Sequence, residues 1–408
     1  MNAPLVHQHK SIQPPEGVPV WDIDPYDEAI LVNPLPFFDA LREKGGMVYI
    51  PRYEVLACGR YEETREVFYD HKRFLSSRGV GMADFKLHEP WRPPSIVLEV
   101  DPPVHTSNRR VIMRALSPAV VRQLEADFAE DAAALVEDVL AQREIEGVGA
   151  LAEAFPTRVF PRAVGIKDPD ARKLVDYGAM VFNAVGPDND LRRRIMAKAA
   201  DIVPWINAHC ERDQLTEDGI GATIYAATDS GEIGEAEAGM LIRSLLSAGV
   251  DTTVSGIGSA LWCLAQHPDQ FARLKSDPAN LAGPAFEEVL RFCTPVQAFF
   301  RTAGEDTTVS GIEIEEGSKI LCVLGAANRD PAKFENPETF DITRDARGHL
   351  ALGVGVHSCV GQIIARAEGR AILKALAERV ERIEFAGEPT WRPNNSMRAL
   401  DRLPLRLT

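Results

Sequence analysis

A single cysteine in a glycine-rich segment constrains the fold of this chain more than any other feature. The segment occupies residues 351–362, reads ALGVGVHSCVGQ, and leads directly into an apolar helical pattern that begins IIARAE. Gly353, Gly355 and Gly361 surround Cys359 and expose backbone without side-chain bulk, so a large flat group can lie against it. Because the thiol precedes a helix, the N–H groups and the dipole of that helix favour an anionic sulfur.

A thiolate in a glycine-lined loop suits the axial ligand of a haem iron, where it promotes cleavage of the O–O bond. The opposing interpretation is a buried structural thiol in a glycine-rich turn, which is the commoner role of a lone cysteine. The other motifs of the chain decide between these two interpretations.

Composition and charge argue against several classes of function. The chain has 408 residues, 45% hydrophobic and 26% charged, which is typical of a globular protein with a sizeable core. Its net charge of −15, without a strong cluster of lysine and arginine, argues against nucleic-acid binding. None of the six cysteines forms a Cys-x-x-Cys pair, so zinc and iron–sulfur sites are not expected. Scattered thiols and a polar N-terminus without an apolar leader predict a cytoplasmic protein without a membrane segment.

The periodicity predicts a mainly α-helical protein with small β-sheets near both ends of the chain. Residues 1–20 are expected to form a flexible N-terminal arm. Residues 21–408 are expected to form a single domain, because no repeat or linker interrupts them. Residues 76–100 form a long irregular segment, which is typical of a functional loop. One long helix is expected over residues 235–266.

This long helix carries a face of small and polar residues. Ser244, Ser247, Ala248, Asp251 and Thr252 recur at helical spacing and share one face. Ala248 leaves room for a flat ligand and for O2, while Asp251 and Thr252 form an acid–alcohol pair that can relay protons. The alternatives are a membrane span, against which the charged residues argue, or an ordinary polar pair inside a core helix.

Two further motifs place charged residues on helices. Glu288 and Arg291 are three residues apart, which by itself is a common ion pair of limited strength. Asp101 begins the sequence Asp-Pro-Pro-Val-His-Thr, and with Arg109 this segment opens another helix. Each of these motifs taken alone has an ordinary structural explanation.

Together, the four motifs resemble those of the cytochrome P-450 family and occur in the family's order. They are Asp-Pro-Pro-x-His-Thr-x-x-Arg, the Asp-Thr helix, Glu-x-x-Arg and the cysteine loop. Two positions differ, since Leu352 replaces the usual phenylalanine and Val104 the usual acid. The resemblance covers nearly the whole chain. It implies a soluble bacterial member with the family's single-domain fold, in which haem lies between the long central helix and the cysteine-loop helix.

The resemblance also implies the cofactor and its contacts. The cofactor would be haem b, with Cys359 as the ligand of the metal. The implied haem contacts are His105, Arg109, Ala248, Arg301, Gly353, His357, Cys359 and Gly361. The histidines and arginines of this set would hold the two haem propionates, which need buried cationic or donor partners. Glu288 and Arg291 would hold the cysteine loop together with a third residue, for which we expect Arg344 or a neighbour.

The implied activity is that of a monooxygenase that uses O2, with Asp251 and Thr252 as the catalytic proton relay. Because the chain has no flavin or iron–sulfur motif, its electrons would come from a [2Fe–2S] ferredoxin and a flavin-dependent ferredoxin reductase. Two other classes remain open. One is a peroxide-driven haem enzyme, which generally lacks the Asp251–Thr252 relay, and the other is a haem sensor or carrier.

The substrate prediction comes from cationic and hydroxyl-bearing residues that could converge on a carboxylate. This arrangement resembles the subfamily that oxidises para-substituted benzoates, notably 4-methoxybenzoate, by O-demethylation or hydroxylation. The implied substrate contacts are Arg92, Ser95, Phe182, Val185, Arg243, Ser244, Ser247, Ala248, Val296 and Phe299. Val185 stands where a second ring is expected in that subfamily, which indicates a roomier pocket. The alternative is that both arginines pair elsewhere and that the substrate is a neutral hydrophobe such as a terpenoid.

Overall fold

The computed structural model describes residues 8–408, and helices dominate it. The α-helices are α1 (Glu28–Val32), α2 (Leu35–Lys44), α3 (Tyr61–Tyr69), α4 (Val104–Ala115), α5 (Pro118–Leu140), α6 (Ala154–Val164), α7 (Ala171–Asn183), α8 (Asp190–Met196), α9 (Ala199–Ala208), α10 (Ile220–Asp229), α11 (Glu235–Ala248), α12 (Asp251–Gln266), α13 (Pro268–Ser276), α14 (Pro278–Cys293), α15 (Leu324–Ala327) and α16 (Gln362–Arg379). A π-helical segment spans Val148–Glu153, and short 3-10 turns span Arg212–Gln214 and Gly355–His357.

The strands are short, and all of them except one, at residues 144–146, lie before residue 76 or after residue 297. They are β1 (Val48–Ile50), β2 (Val55–Cys58), β3 (Phe74–Leu75), β4 (Glu144–Glu146), β5 (Ala298–Ala303), β6 (Thr307–Val309), β7 (Ile312–Ile314), β8 (Lys319–Val323), β9 (Ile383–Phe385), β10 (Thr390–Arg392), β11 (Ala399–Arg402) and β12 (Pro404–Leu407). The prediction of a mainly α-helical fold with small sheets is therefore confirmed. Residues 76–103 contain neither a helix nor a strand.

Several helices begin where the sequence supplies a cap. The side chain of Asp170 accepts a hydrogen bond from the N–H of Lys173 at the start of α7. Asn189 does the same for Arg192 at the start of α8. Proline occupies the first turn of α5, α13 and α14. Backbone N–H groups in the first turn have no acceptor within the helix, so a residue without an N–H loses no hydrogen bond there. Capping side chains and prolines therefore define where these helices begin, independently of tertiary packing.

The expected single helix over residues 235–266 is wrong in one respect, because it is interrupted at Gly249 and Val250 and forms α11 and α12. The hydroxyl of Thr252 donates to the carbonyl oxygen of Ala248 at 2.6 Å, and that of Thr253 to Gly249 at 3.2 Å. These side chains take over carbonyls that backbone N–H groups would otherwise use, which opens the helical ladder at this point.

The helix α12 forms the centre of the helical core. Nearly its whole length between residues 253 and 264 is buried, and it packs against α7, α14 and α16. Close approach depends on small residues: a β-carbon at Gly369 of α16 would lie 2.5 Å from the ring of Phe286 in α14. At Gly249 an added β-carbon would collide with the ring of Phe160 in α6. Glycine at these positions lets the helices around the centre pack closely.

The largest sheet has five strands in the order β1-β2-β8-β5-β3. The strands β2 and β8 pair in parallel, whereas β5 pairs antiparallel with both β8 and β3. The register of β5 against β8 sets Arg301 opposite Ile320. A three-stranded sheet, β4-β12-β9, joins the C-terminus to the middle of the chain. The sheets therefore flank the helical core, and β5 leads from the region of α14 toward the large cavity described below.

A buried ion pair connects α14 to the segment before the cysteine loop. Arg291 donates from Nε and Nη2 to the two carboxylate oxygens of Glu288, at 2.7 and 2.8 Å, and neither side chain is exposed. Arg344 donates to Glu288 at 3.3 Å. Arg291 also donates to the carbonyl oxygen of Asn328, whose side chain accepts from the N–H of Leu350 at 2.6 Å. A continuous chain of hydrogen bonds therefore reaches Leu350, the residue just before the cysteine loop.

The expected flexible arm over residues 1–20 is described only from residue 8 onward, and its first seven residues lie outside the described part. Within the described part, Ile12 and Val18 are buried, and the hydroxyl of Tyr49 donates to the carbonyl oxygen of Ile12 at 2.7 Å. Residues 8–20 thus lie packed against the β1 region, and the domain boundary at residue 20 stays a prediction. Among residues 8–408, no helix combines the length and apolar character needed to cross a bilayer.

We expect Gly369→Ala to destabilise the protein through its contact with Phe286. Overpacking of this kind costs about 1–3 kcal/mol, which exceeds the gain of about 1 kcal/mol in helix propensity. Gly239→Ala in α11 is the matched control, because the atoms nearest to its new β-carbon lie at ordinary contact distances of 3.5 and 3.6 Å. Thermal unfolding checks this: the melting temperature should fall for Gly369→Ala and hold or rise for Gly239→Ala. Equal melting temperatures would contradict the contact.

Candidate functional site

A cavity of about 320 Å³ lies at the junction of five parts of the chain. Helix α11 and the first turn of α12 form one wall, and the cysteine loop lies on another side. The irregular segment 80–99, the end of α7 and the beginning of β5 complete the lining. Two of the four sequence motifs therefore meet here directly, and the Asp-Pro-Pro helix adds Arg109.

The cysteine loop presents backbone and sulfur to this cavity. Gly353 and Gly355 have φ angles of +68° and +72°, which L side chains rarely adopt, so glycine is required at both turns. The N–H of Cys359 donates to the carbonyl oxygen of Leu352 at 2.8 Å and closes the loop. A β-carbon at Gly361 would lie 4.0 Å from the sulfur of Cys359. The loop is thus a rigid, bulk-free surface with one thiol.

Among the described residues, Cys359 is the cysteine that borders this cavity. Burial raises the pKa of its thiol. A hydrogen bond from the N–H of Gly361 and the positive charges of Arg109 and Arg366 act in the opposite direction and favour the thiolate. The surroundings of the sulfur are therefore cationic, as a thiolate ligand requires.

Two arginines face the cavity from opposite elements. Arg109 of α4 donates from Nη1 to the carbonyl oxygen of Ser358 at 2.7 Å, which ties α4 to the cysteine loop. Arg301 of β5 is buried, donates to the carbonyl oxygen of Phe300 and lies 4.0 Å over the ring of Phe68. Burial lowers the pKa of Arg301 to about 10, so this side chain remains cationic at neutral pH. Both arginines offer further N–H donors to an anionic ligand.

Two histidines lie between these arginines. The rings of His105 and His357 are 4.5 Å apart, and Nε2 of His357 lies 3.2 Å from the carboxylate of Asp101. Both ring nitrogens of His105 and Nδ1 of His357 are buried without a partner among the described residues. Burial and the neighbouring charge of His357 lower the pKa of His105 to about 4. Burial also lowers the pKa of His357.

These donors fit a flat group that carries two carboxylates. Buried polar nitrogens without partners are rare in folded proteins, and the nitrogen of each neutral imidazole that carries the proton needs an acceptor. Here they accompany Arg109 and Arg301, beside a glycine-lined surface and a single thiol. Haem b has this shape and charge, so the residues present fit the group.

Three of the four residues expected to bind a carboxylate, Arg92, Ser95 and Ser244, border the cavity. The hydroxyls of Ser95 and Ser244 are 2.9 Å apart. Arg92 borders the cavity, and its Nε is buried without a partner among the described residues. Arg243 differs from the expectation, because it does not belong to the lining and donates to the carbonyl oxygens of Pro93 and Pro94. Arg243 thus holds the backbone next to Arg92 from outside the cavity.

Glu99 is a residue of this site that the sequence interpretation missed. Its Oε2 accepts from Nη1 of Arg92 at 3.0 Å and from the N–H of Ser95 at 2.6 Å, with both side chains buried. An acid seven residues after the arginine was the available signal, but the segment is irregular, so this spacing does not indicate a contact. Arg192 of α8 also borders the cavity, and no sequence pattern pointed to it.

Apolar side chains separate the two ends of the cavity. The rings of Phe182 and Phe299 are 6.3 Å apart at an angle of 43°. Val185 and Val296 border the same space, as does Ala248 at the end of α11. Ser247 also lines the cavity and donates to the carbonyl oxygen of Ser244. All these residues were expected at the substrate.

The acid–alcohol pair is divided between two environments. Thr252 borders the cavity, whereas Asp251 does not, so the expectation that both share one face is wrong. The interruption before α12 rotates Asp251 toward α7, where a β-carbon at Gly178 would lie 2.5 Å from its own. Its carboxylate lies 3.4 Å from Nη2 of Arg392. Burial raises the pKa of Asp251 to about 6, although Arg392 opposes this.

Comparison with known sequences identifies the family. The sequence model for cytochrome P-450 matches residues 207–398. The chain is also 47% identical over 393 residues to the cytochrome P-450 named CYP199A2 from Rhodopseudomonas palustris, with 96% of this chain and 95% of that protein covered. The chain belongs to the cytochrome P-450 family.

Other P-450 proteins agree with this assignment. A beta-dihydromenaquinone-9 omega-hydroxylase from Mycobacterium bovis is 30% identical, with 95% of this chain and 78% of that protein covered. The solved structure of CYP109Q5 from Chondromyces apiculatus is 30% identical, covers 95% of this chain and 98% of its own, and has a TM-score of 0.78. The fold described above is thus the single-domain P-450 fold.

Membership in the family fixes the coarse activity. The protein is a P-450 monooxygenase that uses O2 and electrons from redox partners, and its cofactor is haem b with a cysteine thiolate as axial ligand. When bound, the haem supplies the redox chemistry that activates O2. The cavity between α12 and the cysteine-loop helix α16 is the space in which the described residues fit this group.

We expect Cys359 to supply the thiolate. Cys359→Ser should abolish the red-shifted Soret band of the reduced carbon monoxide complex, which only a thiolate-ligated haem gives. Cys210→Ser is the matched control, because Cys210 is a buried cysteine that does not border the cavity. The measurement is the reduced carbon monoxide difference spectrum of both purified proteins. A normal spectrum in Cys359→Ser would require another cysteine as the ligand.

Proposed function

We propose that this monooxygenase inserts one oxygen atom from O2 into a small aromatic carboxylate. The preferred reaction is O-demethylation or hydroxylation of a para-substituted benzoate such as 4-methoxybenzoate. The observation that carries this proposal is the buried Nε–H of Arg92, which faces the cavity region without an acceptor. A substrate carboxylate would satisfy this donor, and charge-assisted hydrogen bonds of this kind are the strong ones.

The charge balance around Arg92 also supports a monocarboxylate. Arg92, Arg192 and Arg243 bring three positive charges to the cavity wall and the residues behind it, and Glu89 and Glu99 bring two negative charges. The remaining single positive charge matches one carboxylate. The protein as a whole has a net charge of −15, so a buried site with a net positive charge is opposite in sign to the rest of the molecule. Ser95 and Ser244 add hydroxyls that can donate to the second carboxylate oxygen once they release each other and the carbonyl oxygen of Met240.

The geometry of the helices supports a substrate that is substituted opposite its carboxylate. Ser244 and Thr252 are eight residues apart along α11 and α12, which corresponds to roughly 12 Å at 1.5 Å per residue. A para-substituted benzoate with hydrogen-bonded contacts at the carboxylate spans this length. The rings of Phe182 and Phe299 would then contact the faces of the aromatic ring, and Val185 would leave more room than a second aromatic side chain.

The residues of the relay have separate tasks in this proposal. Thr252 borders the cavity and can donate from its hydroxyl after releasing the carbonyl oxygen of Ala248. Asp251 can take up and release a proton close to neutral pH, since burial raises its pKa to about 6. Arg392, whose side chain is 33% exposed, connects Asp251 to solvent. Proton delivery would therefore run from solvent past Arg392 to Asp251 and on to Thr252.

The haem contacts follow from the same cavity. We propose Cys359 as the metal ligand and His105, Arg109, Arg301 and His357 as the partners of the haem propionates. Ala248, Gly353 and Gly361 would provide the close, bulk-free contacts. For electrons, the proposed partners are a [2Fe–2S] ferredoxin and its flavin-dependent reductase, because the chain carries no motif for either cofactor. The free thiols of the described residues suit a reducing compartment, in keeping with a cytoplasmic enzyme.

The test is a spectral titration of the ferric protein with 4-methoxybenzoate and with its methyl ester. The acid should shift the Soret band to high spin and the ester should not, since only the acid brings a negative charge to Arg92. In Arg92→Gln the acid should bind roughly 10–100-fold more weakly, which corresponds to the loss of about 1.5–3 kcal/mol for a hydrogen bond to a charged group.

The ester serves as the control for packing. Equal weakening of the acid and of a neutral ring of the same shape in Arg92→Gln would indicate a packing role for the arginine. A high-spin shift with the ester as strong as with the acid would reject the carboxylate anchor and favour a neutral hydrophobic substrate. No shift with either compound would reject the benzoate proposal while leaving the haem-thiolate assignment intact.

We expect Thr252→Ala to separate electron use from product formation. A positioned proton donor contributes about 10²–10⁴-fold, so product formed per NADH should fall at least roughly tenfold while NADH is still consumed. Hydrogen peroxide should account for the difference. Thr252→Ser is the control, because it keeps the hydroxyl and should retain most of the coupling. Unchanged coupling in Thr252→Ala would remove Thr252 from the relay.

A further inference from the structure

Two buried cysteines lie side by side at the contact between α12 and α14, away from the haem pocket. The sulfur of Cys263, in α12, is 3.5 Å from the sulfur of Cys293, the last residue of α14. Both residues are buried, with exposed fractions of 0% and 5%. A disulfide requires a sulfur–sulfur distance of about 2.05 Å. The two sulfurs thus need to approach by about 1.5 Å, which rotation at the end of α14 can provide.

A second cavity, of about 150 Å³, gives access to one of these thiols. Cys293 borders it together with Arg329, Arg398 and Glu338. The side chain of Glu338 is 57% exposed, so the cavity extends to the protein surface. Cys263 does not border the cavity and lies behind Cys293. A small oxidant that enters from solvent therefore meets Cys293 first.

The charges around the cavity distinguish the two thiols. Arg329 donates to the carbonyl oxygen of Phe292 and pairs with Glu338, while Nη1 of Arg398 is buried without a partner among the described residues. A hydrogen bond from Cys263 and the positive charges of Arg398 and Arg329 lower the pKa of the Cys293 thiol. Burial and the neighbouring Cys293 raise the pKa of Cys263. The outer thiol thus has more thiolate character, and the inner one stays protonated.

We propose that Cys263 and Cys293 form a redox-active dithiol that hydroperoxides convert to a disulfide, with Cys293 as the attacking sulfur. The thiolate of Cys293 attacks one peroxide oxygen, the O–O bond breaks, and hydrogen peroxide leaves water and a sulfenic acid. The thiol of Cys263 then attacks this sulfur, forms the S–S bond and releases a second water. The two cysteines together lose two electrons and two protons, and the peroxide gains them.

The oxidant is one that a monooxygenase can generate itself. When O2 takes up two electrons and two protons without oxygen transfer to a substrate, hydrogen peroxide is formed. The resulting disulfide would connect α12, which begins with Asp251 and Thr252, to α14, whose Phe286 and Leu290 border the haem-side cavity. Turnover that releases hydrogen peroxide in place of product would therefore oxidise the dithiol and join two helices of the active site by a covalent bond.

A second thiol pair in the chain provides an internal control. Cys58 and Cys322 face each other in register on the parallel strands β2 and β8, and both are fully buried. Neither borders either of the two cavities. Proximity of two cysteines alone would make both pairs equally prone to oxidation, whereas access through the second cavity singles out Cys263 and Cys293.

The experiment treats the full-length, haem-loaded protein with hydrogen peroxide at one to ten equivalents, followed by alkylation under denaturing conditions and peptide mass spectrometry. We expect a disulfide between the peptides of Cys263 and Cys293, reversible by dithiothreitol, while Cys58 and Cys322 stay alkylated. The haem Soret band, followed in parallel, separates this reaction from bleaching. Absence of the disulfide at ten equivalents, or its formation equally at Cys58 and Cys322, would overturn the proposal.

Two variants test the order of attack. In Cys263→Ser, Cys293 should stop at the sulfenic acid, which dimedone labels, because no second thiol can resolve it. In Cys293→Ser, Cys263 should remain unlabelled and alkylatable, since the cavity does not reach it. Dimedone labelling of Cys263 in the second variant would reverse the assigned roles and reject Cys293 as the attacking sulfur. The wild-type peptide map decides the proposal even where a variant folds poorly.

Discussion

The buried pair of Glu288 and Arg291 is the interaction on which the site depends. Two buried charges are costly to desolvate, and they persist here because every strong donor of Arg291 has an acceptor. The carbonyl oxygen of Asn328 is one of these acceptors, and the side chain of Asn328 holds the N–H of Leu350. Loss of one partner of a buried pair typically costs about 3–5 kcal/mol. We expect this loss to disturb the start of the cysteine loop as well, because Arg291 is connected to Leu350 through Asn328.

Several buried donors have no partner among the described residues, and three side chains of this kind lie at or next to the large cavity. Arg92 and His357 border it, and the ring of His105 lies 4.5 Å from that of His357. An unsatisfied buried donor costs about 1–3 kcal/mol, so the fold carries this cost until anionic ligands arrive. The stability of the protein is therefore expected to depend on haem, because a ligand that binds only the folded state stabilises it.

The sequence motifs predicted most of the cavity, because each motif brings several residues at fixed spacing. Cys359, Arg109, Arg301 and His357 meet as expected, even though they come from distant segments. The prediction that Asp251 and Thr252 share one face was wrong, because the helix departs from ideal geometry just before them. Helical spacing set Asp251 beside Thr252 on one face, and the interruption at residues 249–250 turned it toward α7. Glu99 was missed because it lies in irregular backbone, where spacing carries no information about contacts.

The irregular segment that precedes α4 couples the two ends of the cavity. Glu99 accepts from Arg92 and Ser95 at the proposed carboxylate anchor. A few residues later, Asp101 contacts His357 of the cysteine loop. The side chain of Asn108 in α4 donates to the carbonyl oxygen of Ile96 and fastens the segment to the helix that carries His105 and Arg109. Because Glu99 and Asp101 are two residues apart, we expect movement at the anchor to reach the proposed haem contacts. A substrate that reorganises Arg92 and Glu99 thus acts on the cofactor pocket as well as on its own binding site.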